Sequence, residues 1–241
     1  MTAYVHSSGD DWPPTLEHHY IAYRAQVRAK VSAIRASQGD TGALETARGL
    51  LEISRSHLDA ARVRLVIVGG SPGTGKSTLS QAMAEATGAV IIRSDEVRKD
   101  LAQIPRDQSA RAPFGEGLYT PEAKATTYDE ALRRAESALR MGRCAILDAS
   151  WSSEIDRVKA RELAGSTRSD LIELRCVAPE DLVAQRILHR SEIGIDPSDA
   201  GTEIASKISA AFVPWPQAVE VDTSVGLQAA LEIATQIVGP T

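Results

Sequence analysis

The sequence predicts an α/β domain built on a parallel sheet, preceded by a helical hairpin. Three observations point there. After residue 63, short apolar runs alternate with segments of helical period, the pattern of right-handed crossovers and of a three-layer sandwich with helices on both faces of the sheet. The first apolar run, Leu65-Val66-Ile67-Val68, leads directly into a glycine-rich turn. Before residue 63 only helical periodicity is visible.

In the first region Leu16, Tyr20, Tyr23, Val27, Val31 and Ile34 recur at steps of three and four, as one face of a helix does. Gly39 and Gly42 break the pattern, and Leu44, Ala47, Leu51, Leu58 and Ala61 resume it. Residues 1–62 are therefore expected to form a hairpin, and 63–241 a separate domain. Two helices bury little alone, so the apolar stripe is expected to be covered by something else. The second region reads as strand 65–68, a helix to about Thr87, strand 89–92 and a helix from Asp95 to Leu101. A long loop spans 102–120, with Pro105, Pro113, Gly115 and Gly117. Pro121 suits a first helical turn, and that helix runs to about Met141. Strand 144–147, helix 153–164, strand 171–174 and helix 179–189 follow. The remainder reads as helix 202–212, strand 218–221 and helix 225–238.

Composition narrows the class. The 241 residues are 43% hydrophobic and 24% charged, enough for a packed core and ordinary for a folded chain. A net charge of −5 argues against bulk nucleic-acid binding, which needs clustered cations. Two cysteines, Cys144 and Cys176, are too few for a disulfide framework and suit a reducing cytoplasm. The polar stretch 1–14 has no signal-peptide core, and no apolar run is long enough to span a bilayer.

The turn after the first strand reads Gly70-Ser71-Pro72-Gly73-Thr74-Gly75-Lys76-Ser77, followed by Thr78. Glycines let successive backbone N–H groups turn inward and form a nest for phosphate oxygens. The helix that begins near Lys76 aims its positive end at the same anion. In this G-x-x-x-x-G-K-[ST] pattern Lys76 reaches the β- and γ-phosphates and the Ser77 hydroxyl ligates Mg²⁺. The strand before and helix after supply the context that distinguishes it from an ordinary tight turn. Asp148, closing the run Cys144–Leu147, fits the second metal carboxylate, the plainer alternative being a helix N-cap.

Other residues narrow the type of nucleotide chemistry. The chain contains no asparagine, so it lacks the Asn-Lys-x-Asp motif of a GTPase. Ala149 follows Asp148 where a motor ATPase of the AAA+ kind would carry a glutamate. Asp95 stands at the carboxyl end of the second strand, where ligands of open α/β sheets bind, and could accept the proton of an attacking hydroxyl. N-capping is the alternative role, for which Ser94 competes. Arg98 follows on the same helical face. Arg186 and Arg190 lie four apart on one face of a later helix, before a polar Gly- and Pro-containing stretch, as the cations and cover of a phosphoryl-transfer site would. Trp215 reads as a loop anchor, with the adenine border as the alternative. Arg106, Arg111, Phe114 and Tyr119 make the 103–120 loop the best candidate for acceptor recognition. The five histidines have no metal-ligand spacing.

Gly70–Ser77, Ser94-Asp95-Glu96-Val97-Arg98, Ala145–Ser150 with Arg157, and Arg186/Arg190 together resemble the P-loop kinase family. That group includes gluconate kinase, polynucleotide 5′-kinase domains, chloramphenicol phosphotransferase and zeta toxins. The resemblance spans about residues 63–238. It implies a five-stranded parallel core, ATP and Mg²⁺, and phosphoryl transfer to a hydroxyl. It also implies a role at the substrate for Arg98 and Arg157. A small-molecule acceptor is expected. The alternatives are a polynucleotide 5′-kinase, or a regulatory ATP-binding module with slow turnover. Residues 19–31 are similar to the tail of an aminoglycoside-phosphotransferase-like domain. That resemblance implies an upstream kinase-like domain, with a homo-oligomer through these helices as the other way to cover the stripe.

Overall fold

The computed structural model describes residues 12–106, 108, 120–193 and 212–239, without the side chains of 190–193. The expected helix 202–212 and the loop residues Arg111, Phe114 and Tyr119 lie outside the described residues. Contacts divide the chain into two compact units: the first takes in the chain up to Val63 together with Met141–Arg143 and Gly239, and the second takes in Arg64–Arg140 and Cys144–Val238.

One unit holds the helices α1 (Pro14–Ser37) and α2 (Ala43–Ala60). Pro14 sits in the first turn of α1, where its missing N–H costs nothing. The helices meet through small residues: Ala22, Ala25, Ala29 and Ser32 of α1, and Ala43, Ala47 and Ser54 of α2 are buried. The His18 and His57 rings also meet, with Nδ1 atoms 2.7 Å apart. At about 100° per residue, the stripe Leu16, Tyr20, Tyr23, Val27, Val31 and Ile34 falls opposite the alanine row. All six are 40–60% exposed. Among the described residues the stripe is thus left uncovered. Alanines permit the closest helix approach, so they face inward and the large side chains are left outside.

The other unit is a five-stranded, wholly parallel sheet in the order β2-β3-β1-β4-β5. Its strands are β1 (Arg64–Gly69), β2 (Val90–Arg93), β3 (Ala145–Asp148), β4 (Asp170–Val177) and β5 (Val219–Asp222). Helices α3 (Lys76–Thr87) and α8 (Leu227–Val238) pack on one face, and α5 (Pro121–Arg140) and α6 (Glu154–Thr167) on the other. The remaining helices are α4 (Ser94–Leu101) and α7 (Glu180–Ile193). β1 is central and buried along its whole length, which explains its unbroken apolar run. Val66, Val68, Leu79, Met83, Ile146, Leu174 and Val221 form the core on the α3/α8 side. β4 continues to Val177, past the expected Leu174, because Leu174–Val177 pair with Val219–Asp222. The charged Arg175, paired with Gly69 on one side and Glu220 on the other, hides the continuation from an apolar-run reading.

From β1 the chain crosses to β2, returns to β3, then passes β1 to reach β4. The carboxyl ends of β1 and its neighbours thus meet at a switch in strand order, where α/β sheets bind ligands. Among the described residues no helix is long and apolar enough to cross a membrane.

Candidate functional site

The turn after β1 has the backbone that the motif requires. At Gly70, φ is 139° and a Cβ would lie 2.7 Å from the Cys176 carbonyl oxygen, so no side chain fits. Gly75, at φ 85°, is the N-cap of α3. It has no side-chain cap, leaving the first N–H groups of α3 available to an anion. Thr74 Oγ1 donates to the Ser71 carbonyl at 2.8 Å and tightens the turn. Above it lies a 510 Å³ cavity lined by Gly73, Gly75, Lys76, Ser77 and Thr78 on one side and by Arg93, Arg186, Thr223 and Leu227 on the others.

Asp148 ends β3 beside this turn, 4% exposed. Burial pushes its carboxyl up, while Lys76, Ser77 and Arg93 pull it towards the charged form. Its Oδ1 is buried without a hydrogen-bond partner. A buried carboxylate with an orphaned oxygen, beside a serine hydroxyl at a phosphate cradle, fits a hard divalent cation held by Asp148 and Ser77. The capping alternative does not apply, because the N-cap of α6 is Ser153.

Asp95 is the second residue of α4, whose N-cap position is Arg93, so Asp95 is not the cap either. It is close enough to Asp148 to raise that group's pKa further. Arg98 Nη1 donates to Asp95 Oδ1 at 2.6 Å, fixing the carboxylate over one helical turn. The carboxylate is 21% exposed. Lys76, Ser77, Asp148, Asp95 and Arg98 are thus gathered at the ends of three strands.

Three expectations are changed or left outside. Arg157 does not reach an acceptor: its side chain is 0% exposed and its guanidinium lies 5.2 Å from the Trp215 ring centroid. It donates to the Val213 carbonyl and pairs with Glu154 at 3.0 Å. Arg186 does line the cavity, but it grips the loop after β5, donating to Thr223 Oγ1 at 3.0 Å and to the Thr223 carbonyl at 2.9 Å. The Arg190 side chain is outside the described residues. Trp215 is the expected anchor: its indole N–H donates to Glu173.

Several residues at the site have no motif to announce them. Thr223 Oγ1 donates to the Thr74 carbonyl at 2.7 Å, tying the β5 loop to the glycine turn. Tyr128, buried on α5, shares a 3.0 Å hydrogen bond with Ser150 and accepts one from the Trp151 N–H. Burial pushes its phenol up to about 12. It steadies the segment after β3, where Trp151 takes a φ of 51°. Arg93 could have been found from its place at a strand end, two residues before Asp95.

Residues 65–215 match the family described as AAA domain, more than half of the chain. The chain belongs to that family. Proteins of Mycobacterium bovis and Mycobacterium tuberculosis, each called uncharacterized, are 41% identical to it over 224 residues. The match covers 93% of this chain and 44% of theirs, so the chain spans less than half the length of these relatives. Three solved structures share the fold. A Chloroflexus aurantiacus protein has a TM-score of 0.56 at 22% identity, covering 73% of this chain and 98% of its own. A sugar kinase from Janibacter has a TM-score of 0.54 at 16% identity, covering 73% and 94%. The Mycobacterium tuberculosis APS kinase in complex with AMPPNP and APS has a TM-score of 0.52 at 16% identity, covering 72% and 96%. The AAA domain of this chain therefore has the fold of P-loop kinases, and Ala149 keeps its buried apolar place after Asp148.

Proposed function

We propose that this AAA-domain protein is an ATP- and Mg²⁺-dependent phosphotransferase that moves the γ-phosphate of ATP to a hydroxyl of a small molecule. The observation that supports this best is the pair of strand-end carboxylates, Asp148 and Asp95, in different environments beside one phosphate cradle. Asp148 is wholly buried with an orphaned oxygen, as a metal carboxylate needs. Asp95 is partly open and oriented by Arg98, as a proton acceptor needs.

On this reading the backbone N–H groups of Gly70–Ser77 and the Lys76 ammonium bind the β- and γ-phosphates. Ser77 and Asp148 would hold magnesium, which would supply neutralisation of phosphate charge. Asp95 accepts the acceptor's hydroxyl proton as its oxygen attacks phosphorus, and Arg98 keeps Asp95 in position. Arg186 holds the loop after β5 against the turn and closes the cavity at the Thr223–Leu227 end, with Arg190 of the same helix as the second proposed cation. The test is ATP consumption with and without a panel of sugars, polyols, nucleosides and amino alcohols. Acceptor-dependent ADP release with a phosphorylated product supports the reading. Slow ATP loss indifferent to every acceptor would favour a regulatory ATP-binding module.

A further inference from the structure

We infer that Arg93 is a γ-phosphate-binding cation of this site, reaching the nucleotide from the sheet side opposite the glycine turn. The inference rests on the cavity being the ATP site and adds to it a contact that no motif signals.

Arg93 is the last residue of β2 and stands in register with Asp148 of β3. In a parallel ladder, registered residues share a face, so its guanidinium and that carboxylate are directed to the same place. Arg93 lines the cavity with Lys76, Ser77 and Thr78. It is held there loosely. Its Nε lies 3.4 Å from Asp148 Oδ2 and its Nη1 lies 3.6 Å from Glu96 Oε1. Both distances exceed the ~2.7–2.9 Å of a charge-assisted hydrogen bond. The Nε is buried and makes no hydrogen bond. Arg98 and Arg157 share the buried, unbonded Nε, but neighbouring arginines are held by shorter contacts: Arg98 is locked to Asp95 at 2.6 Å, and Arg186 donates twice to Thr223. Arg157 is sealed under Trp215.

A planar donor fork with unsatisfied donor capacity, aimed into a phosphate cavity, suits a tetrahedral oxyanion better than either present partner does. The position also selects the phosphate. Arg93 precedes the proposed base by two residues and adjoins the metal carboxylate, so it belongs at the transferring end of the nucleotide. The β-phosphate belongs to the glycine turn. Negative charge on the γ-phosphoryl oxygens would draw the guanidinium off Asp148 and Glu96 at little cost, since both contacts are long.

The test needs no acceptor. Affinities for ATP and ADP are measured by calorimetry with Mg²⁺ for the parent chain, Arg93→Gln, Arg93→Lys and Lys76→Ala. The inference expects Arg93→Gln to lower ATP affinity by about tenfold or more, the usual worth of a bond to a charged group, while ADP affinity stays near the parent value. Arg93→Lys should restore part of the loss. Equal losses for ATP and ADP in Arg93→Gln would show that Arg93 only supports the architecture around Asp148, and would overturn the inference. So would unchanged affinity for both. If Lys76→Ala also left both affinities unchanged, the ATP-site reading itself would fail, an outcome distinct from failure at Arg93 alone. Thermal melts of each variant separate these effects from loss of fold.

Discussion

At the scale of single residues, the glycine turn depends on what lies beneath it as much as on its own sequence. A Cβ at Gly69 would stand 2.3 Å from Trp215 Cζ3, and that ring is pinned by Glu173 and Arg157. Gly69→Ala should therefore destabilise by about 1–3 kcal/mol through overpacking, read as a fall in Tm of about 2–4 °C per kcal/mol. Tyr128→Phe removes the acceptor of the Trp151 N–H and the partner of Ser150. A buried donor left unpaired costs about 1–3 kcal/mol, so a Tm unchanged within error would contradict the role given to Tyr128. Lys76→Ala should abolish most ATP binding with the melt unchanged, because Lys76 faces a cavity and not the core. These residues differ in how legible they were. The eight-residue turn and Asp148 could be read from pattern and strand context, since each chemical type there has a backbone or metal reason. Arg157 could not be placed, because an arginine four residues into a helix reads the same whether it faces a ligand or lies under a tryptophan.

At the scale of elements, strand–helix alternation marks the strands of the sheet, and their parallel order follows from crossovers long enough to hold a helix. Strand limits are hidden where a charged residue sits within a paired strand, as at Arg175 of β4. The spacing on α1 gave the helix and the stripe correctly but not which face is buried, because Ala22, Ala25 and Ala29 count little in a hydrophobic pattern yet pack closest. Between α4 and α5 the charges form a network invisible in sequence. Arg106 and Arg134 hold Asp100 down at about 2, and Arg133 and Arg134 hold Glu130 down at about 2. Carboxylates lowered on folding contribute stability above their ordinary values of 3.8 and 4.5, and that contribution is lost as pH falls from there through about 2. Urea unfolding at a series of pH values should show stability declining across that window. Arg134→Met should flatten the decline, whereas an unaltered slope would show the network to be idle.

At the scale of the whole molecule there are two units: one with the sheet and the candidate site, and one with a hairpin, one face of which carries six large, half-exposed apolar side chains. Fully burying such a side chain from water is worth about 1.5–3 kcal/mol; these are about half exposed, so roughly half of that remains at each, and the face should drive association. Light scattering is expected to show the mass rising with concentration, and Tyr23→Glu with Val27→Glu should abolish the rise. A chain beginning at Arg62 should still bind ATP; its collapse would make the hairpin part of the sheet domain. The acceptor is not legible in the sequence, because no recognisable motif marks the 103–120 loop expected to recognise it. The claim on which everything else depends is that Asp95 takes a proton from an acceptor while the glycine turn holds ATP. Once the panel yields an acceptor, single-turnover phosphoryl transfer by Asp95→Asn, measured beside its ATP affinity, tests that most directly. The expected result is parental ATP affinity with transfer slowed by ~10²-fold or more; transfer near the parental rate would contradict it.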